Sequence, residues 1–543
     1  MQARFLTSYL RAAETPDSIR LQCRVPQLDH PRETSGAGKS PIELPALVRL
    51  LALSALFSAA AVYEGVRLFA LTTPEVWVHL RTGLWILQNH SIPHSGLFSQ
   101  YSSLPWNDSS WAFDVLLGAA YRLFGLRAIP ILLMMLKAAL AVVTFLLARN
   151  QRAGFWSAVL LSAVAQYVIS NLQPLPYVFS ILFFAVELRL LLGSRKTGEV
   201  RKLFWLPVLF VFWANLHLQF VAGLLLLGLF VVSVLLEKAL RDQGATWLSS
   251  RIFPLDLKQV GIVSLLSLLA TFANPYTVHL LPAAFKVLYS PVAFEHFTEM
   301  SSMSFRHPQE FVLMLLVMAA FLALGSLRSL ALFETAALLG GTLVAFRIER
   351  DAWLVVLPAI GVLSGGFQFL RTKSESPRSA PLAWERTWAA GLTLAVVVIA
   401  AVSIPGSPML MNKVSVYFPV KACDYIQANR LPQPLFNAYS WGSFLTWYMP
   451  QYPVVVDSRI ELYGNDILSS YFDVVGGKEL LESDPMVARA GTLLLERESA
   501  MAKALTNLPG LSAQYRLVYS DDIASVFVPQ AMVPQAAAPQ DKH

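Results

Sequence analysis

The sequence predicts a polytopic α-helical membrane protein with about eleven transmembrane helices, followed by a small α/β extracytoplasmic domain. Three observations carry that prediction. Hydrophobic residues fill 55% of 543 positions and charged residues 14%, well below the roughly 25% charged that a soluble chain carries. Apolar runs of about 17 to 25 residues, the length needed to span hydrocarbon, recur from near Leu50 to near Val402. From Ile404 onward the composition turns to mixed polar and apolar, leaving about 130 residues, enough for one small domain.

Taken in order, residues 1–49 hold seven basic residues, several prolines and no apolar core, and read as a disordered cytoplasmic segment. They do not form a cleavable signal, which needs its apolar region near the N-terminus. Residues 50–403 form the transmembrane domain, with a long first outer loop at 72–109. The formal net charge of +7 reflects short basic loops rather than a nucleic-acid surface. Clusters at Arg149/Arg152, Arg195/Lys196/Arg201/Lys202, Lys238/Arg241/Arg251/Lys258 and Arg371/Lys373/Arg378/Arg386 fall on one side when the N-terminus is placed inside. The cytoplasmic membrane is the expected location, with residues 404–529 outside and 530–543 a disordered tail. This count requires Ser110–Gly125 to stop short of crossing, or to pair with its neighbour as a shallow hairpin.

The uncharged stretch Leu203–Leu236 would run about 51 Å as one helix against about 30 Å of hydrocarbon. It must turn back, and WANLHLQ, Trp213–Gln219, is the polar interruption that can do so. Of nine histidines, His79, His90, His94, His217, His279, His296 and His307 fall on outer loops or outer helix ends. The outer side is therefore the chemical side. The two cysteines, Cys23 and Cys423, are expected on opposite sides, so neither a disulfide nor a cysteine metal pair is expected.

Directly after the first span comes TPEVWVHLRTG, Thr73–Gly83. As a helix it puts Val76, Trp77, Leu80, Leu84 and Leu87 on one face and Glu75, His79 and Thr82 on the other. We expect it flat on the outer interface, with Trp77 and Trp85 at headgroup level and the polar stripe toward a cleft. Glu75 and His79, one turn apart, suit a general base or part of a metal shell, and an ordinary solvated face is the plain alternative. Trp106 and Trp111 in the following loop suit stacking on a sugar ring or anchoring among headgroups. Asn215, His217 and Gln219 are expected to line the cavity at the turn. Arg347 and Arg350 in FRIERD sit at an outer helix end, against the charge bias, where they suit a lipid phosphate or pairing with Glu349 and Asp351.

In residues 404–529, Lys421–Ala428 and Gly464–Val475 read as helices. Pro453–Asp457, Thr492–Leu495, Tyr515–Tyr519 and Ile523–Val528 read as strands. No glycine-rich phosphate loop is present. Asp457 and Arg459, just past a predicted strand end, suit a ligand or a salt bridge fixing the turn.

These pieces in this order resemble bacterial membrane proteins of the GT-C glycosyltransferase architecture. The resemblance rests on Pro74, Glu75, Trp77, His79, Thr82 and Gly83; Pro176, Phe179 and Ser180; Trp213, Ala214, Asn215 and His217; Asn274 and Pro275; and Arg347. In the last third it adds Trp441, Gly442 and Leu445, then Asp457, Arg459, Leu462, Tyr463 and Gly464. It implies a GT-C-like fold and transfer of a sugar from a polyprenyl-phosphate-linked donor to a glycan, lipid or protein acceptor on the outer face. It also implies an acid in the first outer loop, with or without a divalent cation, Mg²⁺ or Mn²⁺. Three positions depart from the pattern: Thr73 and Glu75 stand where aspartates are common, and Leu175 where an arginine precedes the proline. Glu75 is then the carry-over base. The rival readings are a non-catalytic binder or transporter of lipid-linked glycans and an envelope-assembly scaffold.

Overall fold

The computed structural model describes residues 46–150, 154–248, 253–288, 290–297, 300–326, 329–366, 383–477 and 484–532. The basic segment up to residue 45, Glu299, and the tail from residue 533 lie outside them. The helical part begins with α1 (Ala46–Arg67), α2 (Val76–Asn89), α3 (Trp111–Phe124), α4 (Ala128–Asn150), α5 (Phe155–Val168) and α6 (Tyr177–Thr197). It continues with α7 (Leu206–Leu216), α8 (Phe220–Asp242), α9 (Leu257–Ala270), α10 (Leu280–Leu288) and α11 (Pro291–His296). Then come α12 (Pro308–Gly325), α13 (Leu332–Arg347), α14 (Trp353–Gly366) and α15 (Ala383–Val402).

Five stretches among the described residues are long and apolar enough to cross a bilayer: α1, α3 with α4, α6, α8 and α12. A sixth is α15 taken with α16 (Ser407–Val414), the pair bending by 77°. The other apolar helices are shorter than the roughly 20 residues a full crossing needs; α5 and α9 have 14 each and α7 has 11. The expected turn lies at His217–Gln219, between α7 and α8. Large apolar side chains such as Leu225, Leu315, Leu322, Leu343 and Ile399 remain exposed on the bundle, as a lipid-facing surface requires.

Two sets of charges inside the spans are paired. Lys137 of α4 donates to Glu64 of α1 at 3.1 Å, and Arg195 of α6 meets Glu237 of α8 at 2.7 Å and Glu334 of α13 at 3.2 Å. Removing one partner would strand a charge in low dielectric, so each pair specifies which helices meet.

The segment Ser110–Gly125 does pair with a neighbour. α3 lies against α2, and the crossing is so close that a Cβ on Gly83 would fall 1.8 Å from the Asp114 carbonyl oxygen. Gly83→Ala is therefore expected to push the two helices apart at a cost of about 1–3 kcal/mol. A lowered melting temperature in detergent checks this, and an unchanged one would show that the crossing yields freely.

The last third adds α17 (Val420–Ala428), α18 (Tyr439–Tyr448) and α19 (Ile460–Val475), the last kinked at Gly464. A four-stranded sheet follows the order β1-β2-β4-β3, with β1 (Leu435–Asn437), β2 (Thr492–Glu496), β3 (Tyr515–Ser520) and β4 (Ala524–Pro529). β1 and β2 are parallel, and the other two pairings are antiparallel. One expected strand, Pro453–Asp457, is not in the sheet. It is extended, but its bonds go to the first outer loop and to Asn437: Val454 N to Phe98 O, Gln100 N to Val454 O, and Val455 N to Asn437 Oδ1. Its apolar run is buried as a strand's would be, which is why the pattern could not tell the two apart.

The placement of Trp77 also differs from expectation. It is fully buried, 4.7 Å from Trp447, 5.3 Å from Phe444 and 5.8 Å from Phe418 between ring centres. The apolar face of α2 is thus covered by α18 and the chain before α17, not by lipid. An apolar stripe has the same sequence whichever of the two covers it.

Candidate functional site

A cavity of about 320 Å³ opens where α2, the first outer loop, α3, the His217 turn, the chain after α13 and the start of α19 converge. The polar stripe of α2 lines it as expected, with Glu75 at the N-terminal end of the helix, His79 one turn on and Thr82 beyond.

Two aspartates join them. Asp108 sits just before α3, where its Oδ1 accepts the Ser110 N–H at 3.1 Å and so initiates the turn into the helix. Its own N–H donates to Tyr276 Oη at 2.9 Å, and that hydroxyl donates to the Pro93 carbonyl at 3.1 Å. The chain after α9 thereby pins the loop from both ends. Asp114, one turn into α3, meets His79 Nδ1 at 2.7 Å. Both residues are buried and line the same cavity. Among the described residues, Asp108 Oδ2 has no hydrogen-bond partner.

Electrostatics follow from this burial. Desolvation, and next the charge of Asp114, push the Asp108 carboxyl well above its ordinary range. Burial also lowers the His79 imidazole, against the pull of Asp108, Glu461 and Glu75, so it tends to the neutral form.

The opposite wall carries Tyr177, His217 and Arg350. His217 Nδ1 is 2.8 Å from Ser180 Oγ, which accepts the Trp213 indole N–H at 2.7 Å. The guanidinium of Arg350 lies 6.0 Å from the Tyr177 ring centre.

The roof is built by the last third of the chain. Arg459 is held in two-pronged fashion by Asp457, at 2.6 and 2.9 Å, with Tyr463 Oη donating to the same carboxylate at 2.9 Å. Its guanidinium lies 4.7 Å from the Trp106 ring centre, and Trp106 donates to Glu461 at 3.0 Å. Gly442 makes this possible: a Cβ there would lie 2.0 Å from the Val456 carbonyl, so α18 can press against the chain that carries Asp457.

Of the residues singled out from sequence, Glu75, His79, Trp106, His217, Arg350 and Arg459 line this cavity. The others lie around it. Trp111 donates to Asn215 Oδ1 at 2.9 Å, while Asn215 donates to the Val211 and Ala273 carbonyls, tying α3 to α7 and to the end of α9. Gln219 donates to Asp351 at 2.8 Å. Arg347 is turned to Phe294, 4.5 Å from its ring centre, and Asp457 is fully buried beneath Arg459. Sequence reasoning passed over Asp108, Asp114 and Glu461. Asp114 did carry a signal, an acid inside the apolar helix WAFDVLLG, which in a membrane marks function by default.

Two further spaces adjoin the cavity. A second space of about 290 Å³ shares Tyr177 and Arg350 with it, and a third of about 790 Å³, between α1, α4 and α5, shares Asn171, Gln173 and Gln309 with the second. The three spaces thus adjoin one another in series.

Among the described residues no three His, Cys, Asp or Glu side chains gather as a protein-only metal site. Asp108 and Asp114 supply two carboxyls, which matches the way Mg²⁺ is held when substrate phosphates complete its shell.

No protein-family model matches the chain, and no curated sequence does so either. Solved structures do resemble it. The archaeal oligosaccharyltransferase AglB from Archaeoglobus fulgidus, in complex with an inhibitory peptide and a dolichol-phosphate, superposes with a TM-score of 0.50 at 11% identity, over 90% of this chain and 75% of AglB. ArnT from Cupriavidus metallidurans, bound to undecaprenyl phosphate, gives 0.43 at 16% identity, over 91% of this chain and 99% of ArnT. The AglB match shows that this multi-pass membrane protein has a fold of the GT-C glycosyltransferase type.

Proposed function

We propose that the protein is a membrane glycosyltransferase that moves a sugar from a polyprenyl-phosphate-linked donor to an acceptor at the outer face of the cytoplasmic membrane. The observation that carries this is the meeting of Asp108, Asp114 and His79 across one cavity from Arg350. In the reaction the acceptor hydroxyl oxygen bonds to the sugar's anomeric carbon while the bond from that carbon to the donor phosphate oxygen breaks. The hydroxyl proton goes to a carboxylate, and the bonding electron pair leaves with the phosphate. Asp108 suits the base, since burial moves its carboxyl toward the working pH, where general bases act best. His79 holds Asp114 in place, and Glu75 borders the same space.

Arg350 stands where the donor phosphate would sit, at the boundary between the acidic cavity and the adjoining spaces that would receive the polyprenyl chain. A divalent cation, Mg²⁺ or Mn²⁺, would be held by Asp108 and Asp114 and would neutralise phosphate charge when bound. Arg459, Trp106 and Glu461 form the acceptor side. AglB's dolichol-phosphate complex supports a lipid-phosphate donor for a chain of this fold. The basic loops support an inside N-terminus and an outside C-terminal third.

The test is to purify the full chain, identify its bound lipids by mass spectrometry, and incubate it with polyprenyl-phosphate-sugar donors and envelope extracts. Polyprenyl phosphate among the bound lipids, and sugar released to an acceptor, are expected. Tight donor binding with no turnover, equal in wild type and Asp108→Asn, would instead identify a binder or transporter.

A further inference from the structure

The roof of the cavity carries charge and hydrogen-bonding capacity that the transfer chemistry leaves unused. Glu461 stands in the first turn of α19 and lines the cavity beside Arg459 and Tyr439. Its Oε1 accepts the Trp106 indole N–H at 3.0 Å, which fixes the carboxylate. A carboxylate accepts up to about four hydrogen bonds, so capacity remains for a ligand. Trp106 is buried beside the Arg459 guanidinium, 4.7 Å from its ring centre, so its part is to orient Glu461 rather than to stack on a sugar.

The neighbouring cation is already spent. Nε and Nη2 of Arg459 meet Asp457, whose carboxylate also takes the Tyr463 hydroxyl, and the buried ion pair is neutral as a whole. What remains is Nη1, buried and with no hydrogen-bond partner among the described residues. Such a donor costs stability until a ligand oxygen meets it. Glu461 shares the cavity with Glu75, Asp108 and Asp114, and after burial and Asp114 its charge adds to the rise of the Asp108 carboxyl. The roof arginine has no charge to spare for an anionic ligand brought into that field.

We infer that the acceptor is a neutral, polyhydroxylated glycan that enters by its terminal ring, with one hydroxyl donating to Glu461 and another accepting from Arg459 Nη1. The inference rests on the glycosyl-transfer reading above and names the acceptor class for it. The reacting hydroxyl must turn its proton to the base, so the roof contacts require further hydroxyls, which a sugar ring supplies. Half-buried Tyr439 adds an apolar ring face for the C–H groups of that sugar. An anionic glycan would set its charge against Glu461. An extended peptide fits less well: the backbone of Pro453–Asp457, which would offer it a strand to pair with, is taken up by Phe98, Gln100 and Asn437. The cavity, about 320 Å³, is also at the small end for ligand pockets. Glu461 takes no proton in the reaction; it selects and orients the acceptor.

Native mass spectrometry of the full chain tests this, with a neutral hexose oligosaccharide, a uronate oligosaccharide of the same length, or a threonine-bearing peptide as probe. The neutral oligosaccharide is expected to be retained about tenfold over either of the others, the worth of a hydrogen bond to a charged group. Glu461→Gln keeps the shape and the Trp106 contact but removes the charge, and should lower retention of the neutral probe about tenfold and bring the uronate level with it. Trp106→Phe, which removes the indole N–H that orients Glu461, should shift the preference in the same direction. Wild-type retention of the uronate or the peptide equal to that of the neutral probe, retention of none of the three, or a Glu461→Gln variant with the wild-type preference would each overturn the inference; the wild-type comparison stands whether or not a variant folds. Release of sugar from a polyprenyl-phosphate-sugar donor reports the transferase reading separately. Release without a preference for the neutral probe removes this inference alone, and preference without release removes the transfer step alone.

Discussion

Asp108→Asn should lower the turnover of sugar transfer by about 10² to 10⁴-fold, the range a positioned general base contributes. Donor binding measured without added divalent cation should survive, because Asn retains the Oδ1 that accepts the Ser110 N–H and so keeps the turn into α3. The pH profile adds a second readout. Asp108 is active as the carboxylate, and burial with Asp114 beside it raises its protonation point well above the ordinary carboxylate range. Activity should then fall as pH drops through that raised value, placing the acid limb above where an exposed aspartate would put it. The limb should vanish from the residual activity of Asp108→Asn. Added Mg²⁺ should move the wild-type limb down, since a cation favours the ionised form. Glu75→Gln is the comparison: a loss larger than that of Asp108→Asn would return the role of base to Glu75.

The second large effect is expected at Arg350. Arg350→Ala should cost about 10² to 10³-fold in turnover, as removal of a donor aimed at developing charge does elsewhere. Arg350→Lys should recover part of it, with one point charge in place of a two-pronged fork. Arg347→Ala should stay within a few-fold of wild type, because Arg347 faces Phe294 and does not line the cavity. Equal losses at the two arginines in a donor-binding assay would remove the distinction drawn between them.

Much of the site was legible as motif and little of it as geometry. The stripe Glu75, His79, Thr82 was readable because helical periodicity places those residues on one face whatever lies opposite. Asp457 and Arg459 offered two readings; the structure has the salt bridge that fixes the turn, and Arg459 lies in the cavity lining. Asn215 and Gln219 were read as cavity residues because their polarity stood out in an apolar stretch. That polarity serves instead to satisfy backbone carbonyls and Asp351 at a broken helix. Asp108 had no periodic context, since a loop residue's neighbours are set by the elements it joins.

What the sequence determined by itself is the membrane class, the turn between α7 and α8, the helices α17 and α19 and strands β2, β3 and β4 of the last third, without β1 or α18, and the polar stripe of α2. All of these follow from local hydropathy, periodicity and loop charge. Tertiary structure alone decided which acids meet, which arginine faces them, and that the last third of the chain roofs the cavity and buries Trp77. The physical reason is that an apolar or charged side chain advertises its need for a partner but not the partner's identity. Asp114 finds His79 across 35 positions of sequence, and Trp106 finds Glu461 across 355, because helix packing brings them within 3.0 Å.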